Sequence, residues 1–293
     1  MDNPIIQVFI VTYNRPDTLL RAIDSVLNQT YPNVELIVSD NSTNDDTYDV
    51  LKSSSSWGRY NYIRRRPSIN PGLEHMKTVF DEATAEYFIV FHDDDEMFPE
   101  MVDELYKAIS EDDIYSAAGG NAYAVSGKNK KLYFHSKRFI LNSGEELIKR
   151  YHRRESAAPF PGYMYRRRKI MDIHLDYYHK GGKYGDVAFL FDAAQKGPMI
   201  FVGKPLMIYN IHPGQESANF DFLRHIQLTN YLLRNVQEKK SIKYFRLYAV
   251  YRNAIMGWTC SEIKYNRMVA RLLMYNSFVL YIKYLIRLIQ SKR

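Results

Sequence analysis

Residues 5–11 are dominated by β-branched and aromatic side chains, the pattern of a strand buried on both faces. A polar stretch, 12–15, follows. Pro16 and Asp17 then open a helix whose Leu19, Leu20, Ile23, Val26 and Leu27 recur at helical spacing. Residues 29–33 turn the chain into a second strand, 34–38, which ends at Ser39, Asp40, Asn41 and Ser42. Asp45 and Asp46 lead a short helix to Leu51, and residues 60–63 read as a third strand. Asn70-Pro71-Gly72 opens a helix reaching Ala83, and an apolar run over 87–91 gives the fourth strand. This alternation predicts an α/β sheet of parallel strands with right-handed crossovers.

The order then changes. Residues 114–125 and 131–134 read as a hairpin across 126–129. A helix is predicted over 145–151. Residues 159–165, with Pro159, Pro161 and Gly162, read as irregular. A helix begins near Asp186 and stops at Gly197-Pro198, and 199–209 reads as two strands broken at Gly203-Lys204-Pro205. Residues 211–214 form a turn, and only helical patterns remain beyond it. The chain thus divides into an α/β unit, 1–220, and a helical region, 221–293.

The fourth strand stops at His92 and opens into four consecutive acids, Asp93, Asp94, Asp95 and Glu96, before Pro99 starts the next helix. Carboxylates so close repel one another unless a cation lies between them. At the carboxyl end of a core strand, where open α/β sheets keep their ligands, a divalent cation bound to phosphate oxygens satisfies them. The same run also suits the acidic first turn of a helix, and from these residues alone both readings stand.

Composition adds two constraints. The chain has 293 residues, 46% hydrophobic and 25% charged, as in a globular protein. Its single cysteine, Cys260, excludes an internal disulfide framework and implies a reducing compartment. Met1 to Pro4 lead directly into a strand, so no secretory leader is expected, and no 18-residue apolar run suggests a spanning helix.

The charge of +7 is uneven: residues 221–293 hold 14 Lys/Arg against 3 Asp/Glu, while the rest hold 26 against 30. That basic region implies an acidic partner, whether membrane phospholipid, nucleic acid or protein. Its segment 277–289, with Lys283 and Arg287 at i, i+4 and Tyr275, Tyr281 and Tyr284 nearby, is too short and charged to span but suits an anionic membrane surface. Packing on the α/β unit or homodimer formation fits the same pattern. The expected location is cytoplasmic, peripheral at the inner face of the cytoplasmic membrane. No nucleic-acid motif accompanies the charge, so nucleic acid is not the expected partner.

The strings VTYNRP (11–16), SVLNQTYP (25–32) and VELIVSDNS (34–42), taken in order, resemble family 2 glycosyltransferases. The resemblance covers about residues 4–218. It implies a GT-A fold: a Rossmann-like, mixed, mostly parallel sheet flanked by helices, here with a C-terminal helical extension. It implies an inverting transfer from a nucleotide-sugar donor, UDP-linked, to a hydroxyl of a glycan or lipid-linked glycan acceptor in surface-polysaccharide synthesis, with Mn²⁺ or Mg²⁺.

Carried over residue by residue, Thr12 and Tyr13 fall in the uracil-contacting segment, and Arg15 reaches phosphate. Asp40 falls on the acid that accepts the uracil N3–H. Asp93 lies near the ribose and Asp94 on the metal, shared with Asp95 and His212. Asp186 falls on the catalytic base, and Gly162 and Tyr163 in the donor-sugar and acceptor region.

Three positions depart from the pattern. His92 stands where the first acid of the Asp-x-Asp motif is usual, Gly185 where an acid precedes the base, and Lys77-Thr78 where Arg-Asn is usual. His75 and His225 fall in no constellation. The runs 64–66 and 166–169 read as solvated charge or phosphate contacts. A sugar nucleotidyltransferase and a non-catalytic nucleotide-sugar or nucleic-acid binder are the other classes. The first usually has a glycine-rich loop after its first strand, and residues 12–15 hold no glycine.

Overall fold

The computed structural model describes residues 3–236, except 71, 154–156, 177–178, 213–214 and 216–220, together with Ile282. Pro71 of the turn before the third helix, Pro213 and Gly214, and the amphipathic segment 277–289 apart from Ile282 therefore lie outside the described residues. Among the described residues no helix is long and apolar enough to cross a membrane.

The first half follows the expected alternation: β1 (Ile6–Thr12), α1 (Pro16–Leu27), β2 (Val34–Asp40), α2 (Asp46–Lys52), β3 (Asn61–Arg64), α3 (Gly72–Glu82) and β4 (Tyr87–His92). Then come β5 (Glu96–Met97), α4 (Met101–Ser110), β6 (Ala117–Ser126), β7 (Asn129–Leu132), β8 (Arg138–Leu141) and α5 (Gly144–Arg153). The last part comprises β9 (Tyr163–Arg166), α6 (Arg167–Ile170), α7 (Gly185–Lys196), β10 (Met199–Asn210) and α8 (Phe222–Arg234).

One mixed sheet runs β3-β2-β1-β4-β9-β6-β10-β5, with β7 on β6 and β8 on β10. The pairs β3–β2, β2–β1, β1–β4 and β6–β10 are parallel; β9 lies antiparallel to both β4 and β6.

Strand alternation sorts the core into two layers. Ile6, Val8 and Ile10 of β1, with Ile89 and Phe91 of β4, face the apolar stripes of α1 and α4. Phe9, Phe88 and Val90 face α3, α5, α7 and α8. Leu228 and Leu232 of α8 belong to this second layer, so the first helix of the 221–293 region packs against the α/β unit.

Two expectations need correction. Residues 163–165, read as irregular, form β9 together with Arg166, a central strand whose four residues are all buried. Residues 199–209, read as two strands, form with Asn210 one strand whose register with β6 slips between Val202 and Pro205 and again between Pro205 and Met207. Bulges around Gly203-Lys204-Pro205 absorb the break without ending the strand.

Arg166, read as surface charge, is 1% exposed. Its guanidinium donates to the carbonyls of Ile109, Asp112 and Tyr115 and to the Asp113 carboxylate, clamping the end of α4 to β9. Arg64 and Arg66 bond Asp45, and Arg65 bonds Glu82, so these three brace the sheet edge through carboxylates.

Candidate active site

Parallel pairing brings three polar strand ends to one edge, with Thr12 opposite Asp40 and Val11 opposite His92. A cleft of about 1150 Å³ opens there, bounded on its far side by α5, the β9 entrance and the start of α7. Of the sequence-predicted residues, Thr12, Tyr13, Arg15, Asp93, Asp94, Tyr163 and Asp186 line it. Asp40, Asp95, Gly162 and His212 do not.

The loop after β4 is held from two directions. From β1, Thr12 Oγ1 donates to Asp93 Oδ2 at 2.7 Å, and Arg15 Nη1 reaches Asp93 Oδ1 at 3.2 Å and Asp94 Oδ2 at 3.1 Å. From the end of β10, the Asn210 N–H donates to Asp95 Oδ1 at 2.8 Å, and Asn210 Nδ2 donates to the Asp94 carbonyl at 2.7 Å. The same strand end delivers His212, whose Nε2 lies 2.8 Å from Asp94 Oδ2. The side chain of Gln29, just past α1, accepts from the Val102 N–H and donates to the Phe98 carbonyl. This fixes the far end of the loop.

Burial shapes the charges. Desolvation pushes the Asp93 carboxyl up to about 6, against the opposing pull of Thr12 and Arg15. Asp95 is also raised well above the ordinary carboxylate range, by burial and then by the neighbouring Asp94 charge. Desolvation holds the His92 imidazole below its ordinary range, so it is neutral at physiological pH.

His92, Asp94 and Asp95 each offer a donor atom within 4.8 Å of the others. Asp95 Oδ2 is buried and has no hydrogen-bond partner among the described residues. An orphaned carboxylate oxygen beside two further donors fits a divalent cation. Residue type alone does not mark His92 as a donor; the signal in the sequence is that it replaces an acid.

Asp186 stands in the first turn of α7, and its Oδ1 accepts from the Val187 N–H at 2.8 Å. Gly185 before it packs tightly on α3: a Cβ there would lie 2.6 Å from Leu73 Cδ2, so a larger residue would push that side chain aside. Phenols surround this carboxylate. Burial, with the Asp186 charge adding to it, raises Tyr133, Tyr151 and Tyr209, so all three stay neutral donors. Tyr133 and Tyr209 pack edge to face at 5.7 Å.

Tyr13 is 52% exposed at the mouth, beside Asn14. Asn14 takes a left-handed φ of 52°, and its side-chain oxygen accepts from the Thr43 N–H. That bond ties the first loop to the second.

Asp40 sits where its neighbours consume it. It is fully buried; Oδ1 accepts from the Ser42 N–H at 2.8 Å and Oδ2 from the Tyr62 hydroxyl at 2.5 Å. Asn41 lines the cleft instead, its side chain paired with the backbone of Ile69.

His75 also lines the cleft, with Nε2 2.8 Å from Ser39 Oγ. Desolvation and then Arg65 lower its pKa to about 4, so the folded state holds it neutral while the unfolded chain protonates it near 6.5. Its contribution is therefore complete above about pH 6.5 and is lost as pH falls towards 4, ~3 kcal/mol in all. Asp93, raised by burial, titrates over much of the same window with the opposite sign. Whole-protein stability then hides the histidine term. The difference between wild type and His75→Gln in urea melts should reveal it: the wild type loses more stability than the variant between pH 6.5 and 4.5. Parallel pH profiles would rule this out.

Comparison with known proteins gives a consistent picture. A family profile described as "Glycosyl transferase family 2" matches residues 7–174, more than half of the chain. "Glycosyltransferase GlyA" of Streptococcus pneumoniae is 26% identical over 227 residues, covering 72% of this chain and 31% of that protein. The chain therefore spans about a third of the length of that curated relative. TarS 1–349 of S. aureus, solved in complex with UDP-GlcNAc, superposes with a TM-score of 0.62 at 14% identity, covering 96% of this chain and 91% of that one. Mannosyltransferase PcManGT of Pyrobaculum calidifontis, in complex with GDP-Man and Mn²⁺, gives 0.58 at 12% identity, covering 95% and 76%. These superpositions establish the mixed, mostly parallel GT-A sheet.

Proposed function

The chain belongs to glycosyl transferase family 2, and on that premise we propose that it transfers a sugar, with inversion, from a UDP-linked donor to a hydroxyl of a glycan or lipid-linked glycan acceptor. One observation carries this reading. A single cleft has the acidic loop on one wall and Asp186, among neutral phenols, on another.

Tyr13 packs against the base, while Thr12 and Asp93 border the ribose. Asp40, bonded to Ser42 and Tyr62, braces the loop beneath the base. Arg15 meets the diphosphate charge. Asp94 and Asp95 would hold Mn²⁺ or Mg²⁺, which would supply positive charge against the leaving diphosphate, while His212, hydrogen-bonded to Asp94 Oδ2, orients that carboxylate. Asp186 removes the proton of the acceptor hydroxyl as that oxygen attacks the anomeric carbon. Tyr163 borders the donor sugar and the acceptor, with Gly162 packed behind it against the Gly120 carbonyl. The neutral hydroxyls of Tyr133 and Tyr209 supply donors for sugar oxygens near Asp186, while the Tyr151 hydroxyl pairs with His225. The basic region 221–293 docks the protein on an anionic membrane, where a lipid-linked acceptor is presented.

A thermal-shift panel of UDP-, GDP- and dTDP-sugars with Mn²⁺ tests the donor. The matching ligand should raise Tm, because it binds only the folded state; at 100 times Kd it adds ~2.7 kcal/mol. A flat response to all UDP-sugars, with a shift from GDP- or dTDP-sugars, would reject the UDP reading. Release of UDP on addition of acceptor distinguishes an enzyme from a binder.

A further inference from the structure

His92 takes no part in the proton transfer or the donor contacts proposed above. It closes β4, and its ring lies at the cleft wall, 6.3 Å centroid to centroid from Phe160. Its Nδ1 is 3.9 Å from Asp95 Oδ2, too far for a hydrogen bond. That oxygen belongs to a residue 1% exposed and lacks a hydrogen-bond partner among the described residues. Asp94 completes the triangle, with all three donor atoms inside 4.8 Å. Two ligand atoms each about 2.0–2.2 Å from one ion stand at most about 4.4 Å apart, so closure needs only a fraction of an ångström.

We infer that His92 is a nitrogen ligand of this cation site, beside Asp94 and Asp95, and that it makes the site select a first-row transition ion such as Mn²⁺ or Co²⁺ over Mg²⁺. The inference rests on the cation-dependent reading of the cleft given above.

Its chemistry follows from the donor set. Mg²⁺ demands near-ideal octahedral oxygen geometry and gives up its waters reluctantly. A fixed imidazole forces a nitrogen into that shell and removes one water position. Transition ions accept nitrogen readily, and their affinity for such sites rises from Mn²⁺ to Co²⁺. Both carboxylates are aimed from outside the triangle. His212 Nε2 bonds Asp94 Oδ2, and the Asn210 N–H bonds Asp95 Oδ1. Partners of this kind set the orientation of ligating groups. His212 thereby positions Asp94, and His92 supplies the nitrogen.

The full chain, without nucleotide, is titrated with Mn²⁺ and followed by electron paramagnetic resonance, with Mg²⁺ as competitor. The bound ion should show ¹⁴N coupling in spin-echo modulation. His92→Asp should keep a Mn²⁺ site, lose the coupling and narrow the Mn²⁺ preference over Mg²⁺ at least about tenfold. His92→Gln should lose the coupling and weaken Mn²⁺ binding. Thermal melts without metal check that both variants fold.

Unchanged coupling and selectivity in His92→Asp would overturn this inference alone. So would coupling that survives in that variant but vanishes in His212→Ala, which assigns the nitrogen to His212. Absence of any Mn²⁺ site in the wild type would overturn the cation-dependent reading as well.

Discussion

An Asp186→Asn variant is expected to bind UDP as tightly as the wild type and to turn over ~10²–10⁴-fold more slowly, the usual contribution of a general base. Asparagine preserves the shape, and its amide oxygen still accepts the Val187 N–H that orients the side chain in α7. What it loses is the ability to take a proton. The surrounding phenols do not replace it: burial raises Tyr133, Tyr151 and Tyr209, leaving none as a phenolate near neutral pH. Donor affinity should survive because the residues assigned to the nucleotide come from β1 and the loop after β4, across the cleft. Initial rates at saturating donor, with calorimetry of UDP binding, separate the two effects. Turnover within a few-fold of wild type would place the base elsewhere.

Asp94→Ala is the second large expected effect: loss of Mn²⁺-dependent UDP binding with the fold retained. Three buried carboxylates and His212 crowd this loop, and Asp94 is the one that both Arg15 and His212 touch. Its removal takes a negative charge away from Asp95, whose carboxyl it helps to raise. The variant should therefore melt, without metal, no lower than the wild type. With Mn²⁺, the acids that remain hold a cation poorly, and a diphosphate facing them without a cation is repelled. Calorimetric titration of UDP with and without Mn²⁺ is the measurement. Equal metal-dependent affinity in both proteins would remove Asp94 from the site.

The elements legible in the sequence were those with strong local patterns. β4 is a continuous apolar run, β1 and β2 are apolar runs each interrupted by one polar residue, Gln7 or Glu35, before their polar ends, and α1 carries a proline at its start and apolar residues at helical spacing. β9 was not legible. Its four residues, Tyr163 to Arg166, follow two prolines and a glycine, and only burial between β4 and β6 makes them a strand. β8 is equally short, and its pairing with β10 spans some sixty residues of chain.

Arg166 misled for a related reason. A run of four basic residues looks solvated, while the carbonyls that accept from one of them lie 51 to 57 residues away. At the site, residue types named the acidic loop and Asp186. They did not name Tyr62 as the group that takes Asp40, nor the proximity of His92 to Asp95. Tyr62 reaches Asp40 through the parallel pairing of β2 with β3, whereas His92 and Asp95, three residues apart, meet through the turn that follows β4.

The placement of β9 bears on how the chain comes off the ribosome. Through residue 162 the growing chain holds two half-sheets: β3-β2-β1-β4, and β6 with β7. β4 and β6 are not neighbours, and each waits with an open edge for the same strand. β9 fills that gap by pairing with both at once. Until it emerges, two long apolar edges stand bare, the condition that invites association between nascent chains. β10 must then add beyond β6 before the loop after β4 gains its Asn210 and His212 contacts. The nucleotide half thus takes shape early while the catalytic geometry is set last, and chaperone demand should peak while residues 163–210 are being synthesised.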